Sequence, residues 1–589
     1  MTDPKTATTG DRLLADFNAA GALTWADVHP AQHLAHLFGE QDSSVKLAIA
    51  LTVRALRAGS LCLPLNRMRE LDLGEDAVEI PEDWWPESAA WERALRASPA
   101  VTVGDAGPGS RPLRLVDGAL YLERHFADQE SVRRSLLARL AAAPASGSPE
   151  GQQAAIALAL SSPVTVIAGG PGVGKTYTIR KIIQRLRADD PGALVGLAAP
   201  TGKAAARMTE SLGDSGLTAL TLHALLGSRA GSRTRFLHDA ERPLPHDVVI
   251  VDEMSMVSMV MMSRLLDALK PSARLILVGD PDQLSSVDAG SVLADITRAP
   301  ASTGIVARLT HNHRFGGDIA TLAHAIRDGD ADAALAVLER ASADPWPTET
   351  GVRYGFSDAP VPTDLTADPA VAGDVTSGGT HVALVDLESG AALLRDRAVS
   401  AGRAVFAAAS AHDPEAALRA LDAHRLLCGH RGGQYGVARW AREVQAWLAH
   451  DVDGYSTEGE FHLGRPVMVT ANRPEFGLFN GDTGVILLDD GRPQAWFRSG
   501  GRLQRLSPFL LEGLASVHAM TVHKAQGSQF AHVSVVLPPP GSPLLTRELL
   551  YTAVSRAQSS VLLLGDRDAV AEAISRPARR MSGLAERLR

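Results

Sequence analysis

Cysteine is nearly absent: Cys62 and Cys428 are the two in 589 residues, which excludes a disulfide framework and a four-thiolate metal site and fits a reducing compartment. Lysine is scarce too. The chain carries seven (Lys5, Lys46, Lys175, Lys181, Lys203, Lys270 and Lys524) and otherwise writes its cations as arginine. No apolar run approaches the ~20 residues that cross a bilayer; Leu47-Ala48-Ile49-Ala50-Leu51 is soon broken by Arg54 and Arg57. No apolar stretch follows Met1-Thr2-Asp3-Pro4-Lys5, so the reading expects no signal peptide, no membrane partner and a cytoplasmic protein. Excess positive charge is also missing. A net charge of −9 argues against coating nucleic acid wholesale, while leaving room for a local basic groove around one strand.

Two further chemistries are excluded by what is lacking. An acid two residues before a lysine, as a (D/E)-x-K nuclease requires, occurs only at Asp3-Pro4-Lys5, so no nuclease site is expected in this chain. His311-Asn312-His313 lacks a third metal ligand. No repeat of solenoid period is present, and the length predicts several domains at ~150 residues each.

Because arginine serves wherever any cation will do, a retained lysine points to a need for a compact ammonium. Lys175 ends the run Gly169-Gly170-Pro171-Gly172-Val173-Gly174-Lys175-Thr176. Glycines at 169, 172 and 174 let the backbone curl so that successive N–H groups face a phosphate chain, and the following helix adds its positive end. Lys175 then reaches the β- and γ-phosphates of a nucleoside triphosphate, and the Thr176 hydroxyl ligates Mg²⁺. The setting is right, with a strand over Val164–Ala168 and a helix over Tyr177–Leu186.

Short apolar runs alternate with helical patterns from 140 to 305, predicting a parallel sheet covered by helices, with strands at Val164–Ala168, Leu194–Ala198, Val248–Val251 and Leu275–Val278. Asp252-Glu253 follows the third strand: Asp252 is placed to hold Mg²⁺ and Glu253 to orient or deprotonate water. Gln283, in Gly279-Asp280-Pro281-Asp282-Gln283-Leu284, is placed to sense a γ-phosphate, with Asp280 read in isolation as a helix cap. Arg314 and Arg556 are candidates for a guanidinium that stabilises a phosphoryl-transfer transition state, although spacing alone leaves both assignments open. A second α/β unit is rebuilt from Ala404 onward. Residues 344–380, rich in Pro, Gly, Asp and Thr, read as an irregular insertion, and residues 460–513 as short strands joined by turns, suggesting a small β-barrel. In the N-terminal segment the apolar spacing is helical, and Trp84, Trp85 and Trp91 are read as core in preference to a partner-facing surface.

The ordered series GGPGVGKT, APTGKAAARM, TLHALLG, VVDEMSMV, GDPDQL, LTHNHRF, GLFNGDTG, AMTVHKAQGSQF and ELLYTAVSRA resembles the superfamily 1 helicases of the RecD group over residues 145 to 589. The segments Arg54–Leu63 and Leu120–Arg124 resemble the RecD subunits of RecBCD recombination nucleases. The resemblance implies two RecA-like P-loop motor domains with parallel sheets, a helical N-terminal domain and a small SH3-like β-barrel insertion. The expected division is 1–135 for partner docking, 136–305 for the first motor, 306–459 and 514–589 for the second, and 460–513 for the barrel.

The same resemblance implies an ATP-dependent 5′–3′ DNA helicase and translocase, with ATP and Mg²⁺ as cofactors, acting in double-strand break repair by homologous recombination. Its partners would be single-stranded and duplex-end DNA and RecB-like and RecC-like subunits, with the nuclease in another subunit. An ATP-gated regulatory subunit and a free-standing RecD-like helicase are the alternatives. Gln152 would contact adenine; Gly169, Gly170, Pro171, Gly172, Val173, Gly174, Lys175, Thr176 and Tyr177 would hold the nucleotide; Thr176 and Asp252 would hold the metal. Lys175, Glu253, Gln283, Arg314 and Arg556 would carry catalysis. Pro200, Thr201, Lys203, His223, Thr521, His523 and Lys524 would line the DNA track, where Lys203 and Lys524 suit backbone phosphate. The chain departs from the pattern at Ala525 and Gln529, where serine and glutamate are expected, which counts against any role needing a carboxylate at 529.

Overall fold

The computed structural model describes all residues except 1–6, 72, 74–77, 79, 108, 144–148, 229–234, 287, 312–316, 344–380, 500–501 and 579. Arg314 and the expected insertion at 344–380 therefore lie outside the described residues.

The N-terminal unit has the expected helices and, beside them, a small sheet that the sequence did not announce. Helices Arg12–Ala19, Trp25–Phe38, Ser43–Arg57 and Ser88–Ala97 pack with a four-stranded sheet in the order Cys62–Pro64, Ala119–Leu122, Leu113–Val116, Val101–Val103. Strands of three or four residues are too short to leave a two-residue period in the sequence. Trp91 and Trp85 are buried in its core, and the Trp91 indole N–H donates to the Ser44 carbonyl at 2.7 Å. Helix Glu123–Ala141 then carries the chain to the next unit, with Val132 and Leu136 in that unit's core.

The first large sheet has six parallel strands in the order Val306–Leu309, Val164–Gly169, Arg274–Gly279, Val248–Val251, Val195–Ala199, Leu220–Thr221. All four residues of Val248–Val251 are buried, as expected for a strand covered on both faces. The strand Val306–Leu309 pairs with Val164–Gly169, so this sheet runs past the division expected at 305. A second sheet, also parallel, has the order His381–Val385, Ala557–Leu564, Phe530–Val536, His424–Cys428, Met520–Thr521.

Between His424–Cys428 and Met520–Thr521 in the sequence lies an antiparallel sheet of order Arg502–Leu506, Arg492–Ser499, Thr483–Asp489, Pro466–Val469, Leu514–Ser516. Its hairpin turns at Asp490-Gly491, both at positive φ (48° and 74°), as a two-residue turn between right-twisted strands demands. Val467, Ile486, Ala495 and Phe497 form its core.

After the second parallel sheet the chain returns to its beginning. Leu61 and Cys62 donate backbone hydrogen bonds to the Met581 carbonyl at 2.7 and 3.2 Å, Ser582 Oγ donates to Asp295 Oδ2 at 2.5 Å, and Leu584 and Leu588 are buried in the core of the first parallel unit. No helix among the described residues is long and apolar enough to cross a membrane.

Candidate active site

The phosphate loop joins strand Val164–Gly169 to helix Lys175–Asp189. Gly172 and Gly174 hold φ near +82° and +83°, a region side chains with a Cβ rarely adopt. Gly169 and Gly170 matter for another reason: a Cβ at 169 would press on Val173 and the Leu309 carbonyl, and one at 170 would lie 2.8 Å from the Tyr551 hydroxyl. The Lys175 ammonium donates to the carbonyls of Gly169 and Gly170 at 2.6 and 3.0 Å, and Thr176 follows it in the first turn of the helix. Gln152, on helix Gly151–Ser161, donates to the Val173 carbonyl at 3.4 Å. A cleft lined by Pro171, Val173, Leu309, Ile319, Arg327 and Tyr551 opens beside the loop.

Asp252 and Glu253 leave the end of strand Val248–Val251. The Asp252 carboxylate accepts from the Glu253 backbone N–H at 2.8 Å. Burial, then the charge of Glu253, pushes its pKa up to about 6, opposed by the Lys175 ammonium. Glu253 sits in the left-handed region at φ 53°, which for a glutamate stores strain of the kind found at functional sites.

Gln283 is buried, with its amide donating to Asp280 Oδ2 at 2.9 Å and its Oε1 without a protein partner. Asp280 is more than the helix cap expected in isolation. Its Oδ1 accepts from the Asp282 N–H at 3.1 Å and its Oδ2 also accepts the Tyr551 hydroxyl at 3.1 Å from the second parallel unit. Sequence reasoning missed both Asp280 as a junction and Tyr551 as its partner; the signal was their place inside GDPDQL and ELLYTAVSRA. The junction extends further: the Leu284 N–H donates to Thr552 Oγ1 at 2.9 Å, and Gln526 Nε2 to the Leu284 carbonyl at 2.7 Å. Leu284 itself is buried in the core of the second unit.

Arg556 follows helix Arg547–Val554 and its C-cap Ser555 and is 3% exposed. Its guanidinium donates to Thr552 O at 3.0 Å, Ser528 O at 3.3 Å and Ser555 Oγ at 3.1 Å. Burial lowers its pKa, while the charges of Glu253 and Asp280 across the cleft oppose that shift. The structure thus brings Lys175, Asp252 and Glu253 of the first parallel unit within electrostatic reach of one another, sets Glu253 and Asp280 within reach of Arg556 of the second, and ties Gln283 to Asp280.

The residues expected on a nucleic-acid track lie on both units. Thr201 caps helix Gly202–Leu212 by accepting from the Ala204 N–H, directly after Pro200. Lys203 approaches the Gly481 carbonyl of the inserted sheet at 3.5 Å, and a Cβ on Gly202 would run into the ring of Phe479. Burial, aided by Arg207, depresses the Lys203 ammonium to about 8. Arg207 donates to the Gly527 carbonyl of the second unit. His223 is exposed, with its ring 5.8 Å from that of Phe236. In the second unit Thr521 Oγ1 accepts from the Lys524 N–H at 3.4 Å; burial lowers the pKa of both His523 and Lys524. Gln529 Oε1 accepts from Gln558 at 3.3 Å, an amide pairing in which no carboxylate takes part.

Three family descriptions match successive parts of the chain: "RecBCD enzyme subunit RecD, N-terminal domain" over 19–121, "AAA domain" over 148–343 and "UvrD-like helicase C-terminal domain" over 516–564. The RecBCD enzyme subunit RecD of Mycolicibacterium smegmatis is 42% identical over 599 residues, spanning 97% of this chain and 98% of that protein. That of Mycobacterium tuberculosis is 40% identical over 620 residues, spanning 100% and 99%. The ATP-dependent RecD2 DNA helicase of Deinococcus radiodurans is 32% identical over 431 residues, 72% of this chain and 50% of that protein.

Proposed function

The chain belongs to the RecD family of RecBCD enzyme subunits, and from that premise we propose that it is the ATP-driven 5′–3′ DNA helicase and translocase subunit of a RecBCD-type helicase–nuclease. Its partners are RecB-like and RecC-like subunits and the single-stranded and duplex ends of broken DNA, and its role is double-strand break repair by homologous recombination in the cytoplasm. The observation that carries this reading is the arrangement across the two units: Lys175 and the Asp252-Glu253 pair lie together on the first, and Glu253 and Asp280 lie within charge reach of the buried Arg556 on the second. The near-complete span of the RecD subunits, against half of the RecD2 helicase, favours a subunit over a free-standing enzyme.

In this reading ATP lies on the loop with its base toward Gln152. Its phosphates replace the carbonyls of Gly169 and Gly170 as partners of the Lys175 ammonium. Thr176 and Asp252 suit Mg²⁺, which takes one or two protein oxygens and completes its shell with phosphates and water; the ion would neutralise charge on the phosphates. Glu253 orients and deprotonates the attacking water. Arg556 exchanges Thr552, Ser528 and Ser555 for the γ-phosphate as the motors close, with Arg314 as a second finger. The hydrogen-bonded junction from Gln283 through Asp280 to Tyr551 transmits that closure. The Lys203 and Lys524 surfaces, with Pro200, Thr201, His223, Thr521 and His523, then grip one DNA strand in alternation.

We assign residues 1–135 to partner docking, 460–513 to an SH3-like barrel, and the remainder to the two motors. The test is a Lys175→Gln chain assembled with its partner subunits. The complex should form normally yet lose ATP hydrolysis by this subunit and unwinding of 5′-tailed duplexes; undiminished 5′-tailed unwinding would overturn the reading.

A further inference from the structure

We infer that the turn Phe479-Asn480-Gly481-Asp482 of the inserted sheet is a latch, closed over the Pro200–Lys203 corner of the first parallel unit, that a nucleic-acid strand must lift in order to bind there. The inference rests on the proposed track at Pro200, Thr201 and Lys203, and adds to it the element that governs access.

The turn is rigid in itself. The Phe479 N–H donates to Asp482 Oδ2 at 2.7 Å, and the Asp482 N–H returns to the Phe479 carbonyl at 3.0 Å. The Asn480 N–H donates to Asn472 Oδ1 at 3.0 Å and the Gly481 N–H to the Val469 carbonyl at 2.9 Å. Gly481 holds φ 95°, which glycine adopts without strain. Leu478, immediately before the turn, is fully buried in the core of the inserted sheet. Turn and sheet therefore move together.

The contacts with the first unit are fewer and separable. They fall on the corner between strand Val195–Ala199 and helix Gly202–Leu212. The Phe479 ring lies on the buried Gly202, where any Cβ would collide with it. Lys203 reaches the Gly481 carbonyl at 3.5 Å, long for a hydrogen bond. One helical turn further on, Arg207 donates to the Gly527 carbonyl of the second parallel unit. The carboxylates of Asp422 and Asp482 both favour the charged forms of Lys203 and Arg207.

Latch and strand thus compete for the same donors. Carbonyl oxygens accept from Lys203 and Arg207 where phosphate oxygens would, and two carboxylates supply the negative charge. A phosphodiester makes the stronger, charge-assisted bond, so a strand displaces the turn. The displacement has a cost: apparent affinity is reduced by the fraction of chains whose latch is open.

Binding of single-stranded DNA by the full chain, read by fluorescence anisotropy, tests this with two variants. Phe479→Ala removes the ring that rests on Gly202, so affinity should rise about threefold or more as the open fraction grows. A fall in affinity would make Phe479 a platform for a base and overturn the latch. The second variant joins Gly202→Cys to Phe479→Cys. A Cβ at 202 would stand 2.5 Å from that of Phe479, so a small shift gives disulfide geometry, and the native Cys62 and Cys428 are both buried. Oxidation should weaken DNA binding by this variant roughly tenfold or more, with recovery on reduction; circular dichroism establishes that both forms are folded. Equal affinity in the oxidised and reduced forms would overturn the latch and leave the proposed track standing. Failure of the parent chain to bind single-stranded DNA would overturn the track itself, and the latch with it.

Discussion

Tyr551 of the second parallel unit donates its hydroxyl hydrogen to Asp280 Oδ2 of the first across 3.1 Å, and the same hydroxyl lies against Gly170 of the glycine-rich loop. Asp280 simultaneously accepts from the amide of Gln283. A single phenol thus touches the loop proposed to hold phosphate and the carboxylate that holds the proposed phosphate sensor.

Tyr551→Phe should leave nucleotide affinity close to that of the parent chain while lowering the DNA-stimulated rate of hydrolysis about fivefold, since it removes one hydrogen bond worth ~1 kcal/mol and keeps the ring. Steady-state kinetics with and without single-stranded DNA separate the two parameters. A change confined to KM would contradict a coupling role.

Gly202 and Phe479 are matched by size. Gly202→Ala should cost about 1–3 kcal/mol through overpacking, and Phe479→Ala should relieve most of that cost. A double-mutant cycle on denaturant unfolding checks it, with strict additivity as the contrary result.

Lys203 carries a pH signature. Its buried ammonium is depressed to about 8, so in the free chain the charge is present below pH 8 and lost as pH rises through it. A DNA phosphate favours the charged form, so binding takes up a proton above pH 8. Affinity should then fall with rising pH by at most about tenfold per unit, and Lys203→Arg should flatten the dependence. Fluorescence anisotropy between pH 7 and 9 measures both; equal slopes in the two chains would remove Lys203 from the track.

The C-terminal return is structural. Leu584 is fully buried in the core of the first parallel unit, so Leu584→Ala should cost about 2–5 kcal/mol, read as a lowered unfolding midpoint. A change within error would mean that the segment only rests on the surface.

How much of this could be read from the residues follows the range of each interaction. Strand Val248–Val251 and its Asp252-Glu253 tip are local, and so is the loop ending at Lys175; apolar runs followed by polar motifs announced them. The Tyr551–Asp280 bond spans 271 positions and the Met581–Ser60 bond 521, and no period or composition marks such a partner. The N-terminal sheet failed for the opposite reason, its strands being too brief to show alternation. Phe479 stood inside a recognised motif, but only the fold shows that its ring needs the missing Cβ of Gly202. The site was legible as two halves, and the way they lock together was not.

The central claim is that the nucleotide site is completed by an arginine from the opposite motor. Single-turnover hydrolysis by Arg556→Ala, alongside nucleotide binding by the same chain, tests it most directly. Nucleotide affinity should stay within a few fold of the parent while the hydrolysis rate falls on the order of 10³-fold or more, the usual worth of such a guanidinium. Hydrolysis at the parental rate would contradict a site completed across the cleft.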